Sequence, residues 1–183
     1  MGAFLNPNYD SFIDDLNNDV YVDKSMIIDK LNDLMDKSDK KYICVSRPRR
    51  FGKTMATNLI SAFYSKGCDS RSLFSNLKIA KTPNWDKNLN KFNVIKIDVQ
   101  GILSNIEKPK NLVKIINNNV NEELIEAFPN SKIKKNDYLG MSLAKVYKTT
   151  GERFIIIMDE YDVMVHLLCY KLLLMTFPNN HFF

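Results

Sequence analysis

Little in this chain of 183 residues suggests a zinc site, a disulfide or a membrane. It has three cysteines, Cys44, Cys68 and Cys169, and two histidines, His166 and His181. None of them falls at metal-ligand spacing, so a zinc site is not expected. Unpaired thiols suit a reducing compartment. The longest apolar stretch, near 163–177, is interrupted by His166 and Lys171 and is too short to span a bilayer. No basic-then-apolar leader opens the sequence. The start Met1-Gly2-Ala3-Phe4-Leu5-Asn6 has no Ser or Thr at position 6 for myristoylation. These absences predict a cytoplasmic protein with no membrane partner. Internal repeats and low-complexity linkers are missing too.

Apolar residues make up 45% and charged residues 26%, as expected for one globular domain. The net charge of +5 is unevenly placed: residues 1–40 hold nine Asp against four Lys, so the rest of the chain is basic. That imbalance is compatible with an anionic partner, either nucleotide or nucleic acid. Lysines spread over solvated faces are the favoured explanation, and no residue pattern singles out nucleic acid.

Hydrophobic spacing predicts amphipathic helices over 24–35, from Met55 to about Lys66, over 111–128 and over 138–147. Apolar runs predict strands at Tyr42–Val45 (buried), Phe92–Val99 and Phe154–Met158. Strands alternating with helices imply an α/β domain with a parallel sheet, whose ligands bind beyond the carboxyl ends of the strands.

Two motifs fall at that edge. The first is Arg47-Pro48-Arg49-Arg50-Phe51-Gly52-Lys53-Thr54, between the first strand and a helix. A Gly-Lys-Thr triplet in that context holds the β- and γ-phosphates of a nucleotide: backbone N–H groups face the phosphates, Lys53 adds a cation, and the Thr54 hydroxyl can ligate Mg2+. The glycine that ordinarily opens this loop is replaced by Arg47. Pro48 lacks an N–H, so the loop should differ from an ordinary one at its start and match it from Phe51 onward. Arg50 is a further candidate donor to phosphate oxygens.

The second motif is the apolar strand ending in Asp159-Glu160. Asp159 would hold magnesium through water, and Glu160 would orient the attacking water as the catalytic residue. The competing reading is a core strand that ends in acidic residues. Asp162 reads as a turn residue. A guanine-reading Asn-Lys-x-Asp segment is absent, so ATP is the expected nucleotide.

With Tyr21-Val22-Asp23-Lys24-Ser25 and the strand Val94–Asp98, these runs resemble the bacterial AAA-ATPase-like proteins, from about Phe12 to Val165. The Arg-Pro-Arg-Arg-Phe-Gly-Lys run accounts for the missing glycine. The resemblance implies ATP binding in a three-layer P-loop NTPase fold of the additional-strand class. Family members often continue into a PD-(D/E)XK nuclease-like domain, which nothing in this chain shows. The Tyr21–Ser25 run carries no chemical role that its residue types reveal.

The expected organisation is a leading segment over 1–40, a P-loop core over 41–165 and an aberrant tail over 166–183. The tail reads unlike the family, and it leaves hardly enough room for the crossover and central strand that would follow Asp162. The sequence therefore predicts a core incomplete at its carboxyl end, with weak hydrolysis or none. Two alternatives accompany the ATPase-like reading: a non-enzymatic remnant of a larger ATPase, and a P-loop phosphotransferase. Oligomeric state is not legible.

Overall fold

A computed structural model describes residues 2–35, 37–40, 42–46, 48 and 50–163. Arg47, Arg49, His166, Cys169, His181 and the expected tail over 166–183 lie outside the described residues.

The helices follow the apolar periodicity. In chain order they are α1 (Asp10–Leu16), α2 (Met26–Met35), α3 (Lys53–Tyr64), α4 (Arg71–Phe74), α5 (Val99–Ser104), α6 (Leu112–Ala127) and α7 (Leu139–Thr150). On α6, Leu112, Ile116, Val120 and Leu124 are buried at four-residue spacing, which lays one stripe against the sheet. Pro129 begins the turn that follows. Gly151 ends α7 at φ 72°, where its N–H donates to the Tyr147 carbonyl; only glycine adopts that left-handed cap without strain.

Two strands, β1 (Asn93–Asp98) and β2 (Phe154–Asp159), pair in parallel with Asp98 beside Asp159. A parallel pair needs a long crossover, and α5, α6 and α7 supply it. The other edge of β1 is closed by the amino-terminal segment. Leu5 bridges Ile95 antiparallel, the Asn6 N–H donates to the Val94 carbonyl, and the Phe4 carbonyl accepts from the Lys96 N–H. Glu123 of α6 fixes that segment by accepting from the amides of Ala3, Phe4 and Leu5.

Strand alternation divides the core between two faces. Val94 and Ile157 pack with Phe12 of α1, Ile28 of α2 and Leu59 and Phe63 of α3. Ile95 and Ile97 pack on the opposite face with Leu112, Ile116, Val120 and Leu124. On the first face the rings of Phe12, Phe74, Phe63 and Tyr64 contact one another in series at 5.0–5.2 Å between centroids. The arrangement is α/β. Among the described residues no helix is long and apolar enough to cross a membrane.

One expected element is missing. Residues 42–46 form no strand, and Tyr42 is 99% exposed. Ile43, Cys44 and Val45 are exposed as well, so the expected buried strand does not hold. A strand exists only through its ladder, and among the described residues no backbone hydrogen bond joins 42–46 to another segment. The segment is tethered by a side chain instead: the Cys44 sulfur lies 2.8 Å from the Tyr161 hydroxyl, just beyond β2. That contact raises the Tyr161 pKa above the ordinary phenol value.

Candidate functional site

Gly52 is the N-cap of α3, at φ 70° and ψ 41°. With no side chain it offers the helix no side-chain cap, and the first turn of α3 has no acidic residue. The helix ladder begins with the Ala56 N–H donating to the Gly52 carbonyl. The start of α3 thus presents the positive end of the helix dipole with no side-chain cap and no acidic residue beside it, and that combination favours an anion. Lys53 is the first helical residue, and Thr54 is exposed on the same turn. Phe51 and Arg50 lie exposed just before it, with Arg50 also left-handed at φ 68°.

The acidic motif meets this helix from below. Asp159 ends β2 and is only 6% exposed. Its Oδ2 accepts a hydrogen bond from the Thr57 hydroxyl at 3.1 Å, and that hydroxyl also lies 2.8 Å from the Thr54 carbonyl oxygen. One side chain therefore links the first turn of α3 to the carboxyl end of β2. The other Asp159 oxygen accepts from the Glu160 N–H at 3.0 Å. Glu160 is half-buried and left-handed at φ 51°, a conformation that costs a non-glycine residue about 1 kcal/mol or more.

Polar groups continue beneath α3. Lys96 on β1 hydrogen-bonds Asn58 Oδ1, and Asn58 Nδ2 donates to Asp15 at 2.8 Å. Burial pushes the Lys96 amine below its ordinary pKa, partly offset by Asp159, Asp15 and Asp98.

The structure therefore brings the two motifs together at one end of the sheet. Asp159 meets the helix that Lys53 opens, through Thr57, which lies one turn beyond Thr54. No sequence pattern singled out Thr57. The signal was its spacing: three residues after Thr54, it projects on the same side of the helix.

The Tyr21–Ser25 run also has a place at the site. Asp23 Oδ1 accepts from the Ser25 N–H and Oδ2 from the Lys78 N–H, at 2.8 and 2.7 Å. The buried Ser25 hydroxyl accepts from the Ile79 N–H at 3.0 Å. Asp23 and Ser25 thereby pin the start of α2 to the 3-10 turn Lys78–Lys81. Burial alone would raise the Asp23 pKa, but hydrogen bonds from Ser25 and Lys78 outweigh it and hold the carboxyl below the ordinary range. Between these two residues, Lys24 Nζ donates to the Phe51 carbonyl at 2.6 Å. A cleft of about 380 Å³ opens beside it, lined by Val20, Val22, Arg50, Gly52, Met55 and Ala56 among others. An Asp and a Ser flanking one residue at a helix start is an Asx-turn signal. The residue types of the run revealed no role for it, and the long-range clamp was not legible.

A family model described as a predicted AAA-ATPase matches residues 8–174. The match runs past Val165, where the resemblance read from the residues stops. No curated protein and no solved structure matches the chain. The chain belongs to this predicted AAA-ATPase family.

Proposed function

We propose that this member of the predicted AAA-ATPase family binds Mg-ATP at the start of α3, in a P-loop domain of the additional-strand class. The observation that carries the reading is the Thr57 hydroxyl. It joins the first turn of a helix opened by Gly-Lys-Thr to the buried Asp159 at the end of an apolar parallel strand. Phosphoryl-transfer sites are assembled from those two parts.

The amides that follow Gly52 bind phosphate oxygens, Lys53 adds positive charge, and Arg50 reaches the same anion from the exposed side of the loop. Thr54 and Asp159 are the residues that would hold Mg2+. Among the described residues no group of three or more Asp, Glu, His or Cys is placed to hold a metal ion by itself. Magnesium in nucleotide sites takes one or two carboxylates and completes its shell with phosphate and water. When bound, magnesium neutralises charge on the β- and γ-phosphates. Glu160 orients water for attack on the terminal phosphate, and the bond from its N–H to Asp159 fixes its backbone for that task.

Equilibrium binding of a fluorescent ATP analogue with and without Mg2+ tests the reading. Wild-type protein should bind, and Mg2+ should tighten binding; Asp159→Asn should lose most of the Mg2+-dependent gain. Absence of binding by folded wild-type protein would refute the assignment. Phosphate release, where measurable, should stop in Glu160→Gln, and release that continues would remove the role given to Glu160.

A further inference from the structure

Asp23 and Ser25 are both tied to backbone amides of the 3-10 turn, and this leaves the backbone of Lys24 little freedom. The Lys24 side chain reaches the Phe51 carbonyl, and its Nζ ends 2.6 Å from where a Cβ on Gly52 would stand. That point is where the loop runs into α3. A cation there faces the positive end of α3, whereas lysines are favoured at the opposite end of a helix. An ammonium has three N–H donors, and the Phe51 carbonyl accepts one of them. Among the described residues no ion pair joins Lys24 to a carboxylate. The cleft beside it is lined by Arg50 and Gly52 as well. Two positive features converging on an open cleft are stabilised by an anion placed between them.

We propose that Lys24 is a second phosphate-binding lysine of the nucleotide site, positioned by Asp23 and Ser25 and acting beside Lys53. This rests on the nucleotide reading above. The ligand chemistry is a di- or triphosphate chain. Lys24 reaches it from outside the loop, on a segment separated from Phe51 by 27 positions.

Competition against a fluorescent ATP analogue, with ATP and with inorganic tripolyphosphate as competitors, tests the proposal. Tripolyphosphate carries the phosphates alone. Lys24→Gln should weaken both competitors by about 10- to 100-fold, as expected for loss of one charge-assisted bond, and Lys24→Arg should recover most of the loss. Unchanged affinity for both competitors, or a loss confined to ATP, would overturn the proposal. If Lys24→Gln does not fold, acetylation of wild-type lysines read by mass spectrometry replaces it. Tripolyphosphate should then protect Lys24, and equal acetylation with and without it would overturn the role. Wild-type protein that binds neither competitor would refute the nucleotide reading itself. Wild-type protein that binds both, beside an unaltered Lys24→Gln, would refute the role of Lys24 alone.

Discussion

At the scale of single residues, the site depends on backbone geometry as much as on charged groups. Gly52 is left-handed, and the amine of Lys24 occupies the space that a Cβ there would need. Gly52→Ala should cost about 1–2 kcal/mol from the left-handed conformation alone. At the 2–4 °C per kcal/mol usual for a chain of this size, its melting temperature should fall by roughly 2–8 °C. Thr57 is the other decisive residue. Thr57→Val keeps the shape and removes the donor to the buried Asp159, so it should cost about 1–3 kcal/mol in a denaturant titration with an unchanged slope. The sequence singled out Lys53 and Asp159 as candidates because each belongs to a local motif with a chemical requirement. Thr57 and Lys24 were hidden, because their importance comes from partners 102 and 27 positions away.

At the scale of elements, the four longer helices were legible, the short α1, α4 and α5 were not, and strands were legible only in part. The stripes of α2, α3, α6 and α7 repeat at helical spacing within one segment, so local sequence suffices to find them. Strands β1 and β2 were read from apolar runs, and the structure pairs them. The run at 42–45 carries the same signal but forms no strand, because pairing requires a second segment that local sequence does not specify. The link between α2 and the 3-10 turn was equally invisible. It should respond to acid. The folded pKa of Asp23 lies below its unfolded value near 4. Its contribution is therefore complete above that unfolded value and lost as pH falls through the lower folded one. Melting curves of wild type and Asp23→Asn should differ by a constant amount near neutrality and converge below about pH 4. A difference that persists unchanged into acid would contradict the linkage.

At the scale of the whole molecule, the parallel pair β1 and β2, with helices on both faces among the described residues, places two motifs, more than 100 positions apart, at one end of β2. Phe63 on α3 shows how closely site and core are joined. It is fully buried, stacks edge-on to Tyr64 and Phe74, and belongs to the helix that Lys53 opens. Phe63→Ala should cost about 3–5 kcal/mol, a large share of a typical domain stability of about 5–15 kcal/mol. Nucleotide binding to this variant should weaken along with its stability, because the helix that presents Lys53 and Thr54 rests on this ring. The central claim concerns that helix start. Thermal melting with and without saturating Mg-ATP, on wild type and Lys53→Ala, tests it most directly. Ligand at about 100 times its dissociation constant adds about 2.7 kcal/mol. Wild type should therefore melt roughly 5–10 °C higher with Mg-ATP, while folded Lys53→Ala shows little shift. Equal melting of wild type with and without Mg-ATP, or an equal rise in Lys53→Ala, would contradict the assignment.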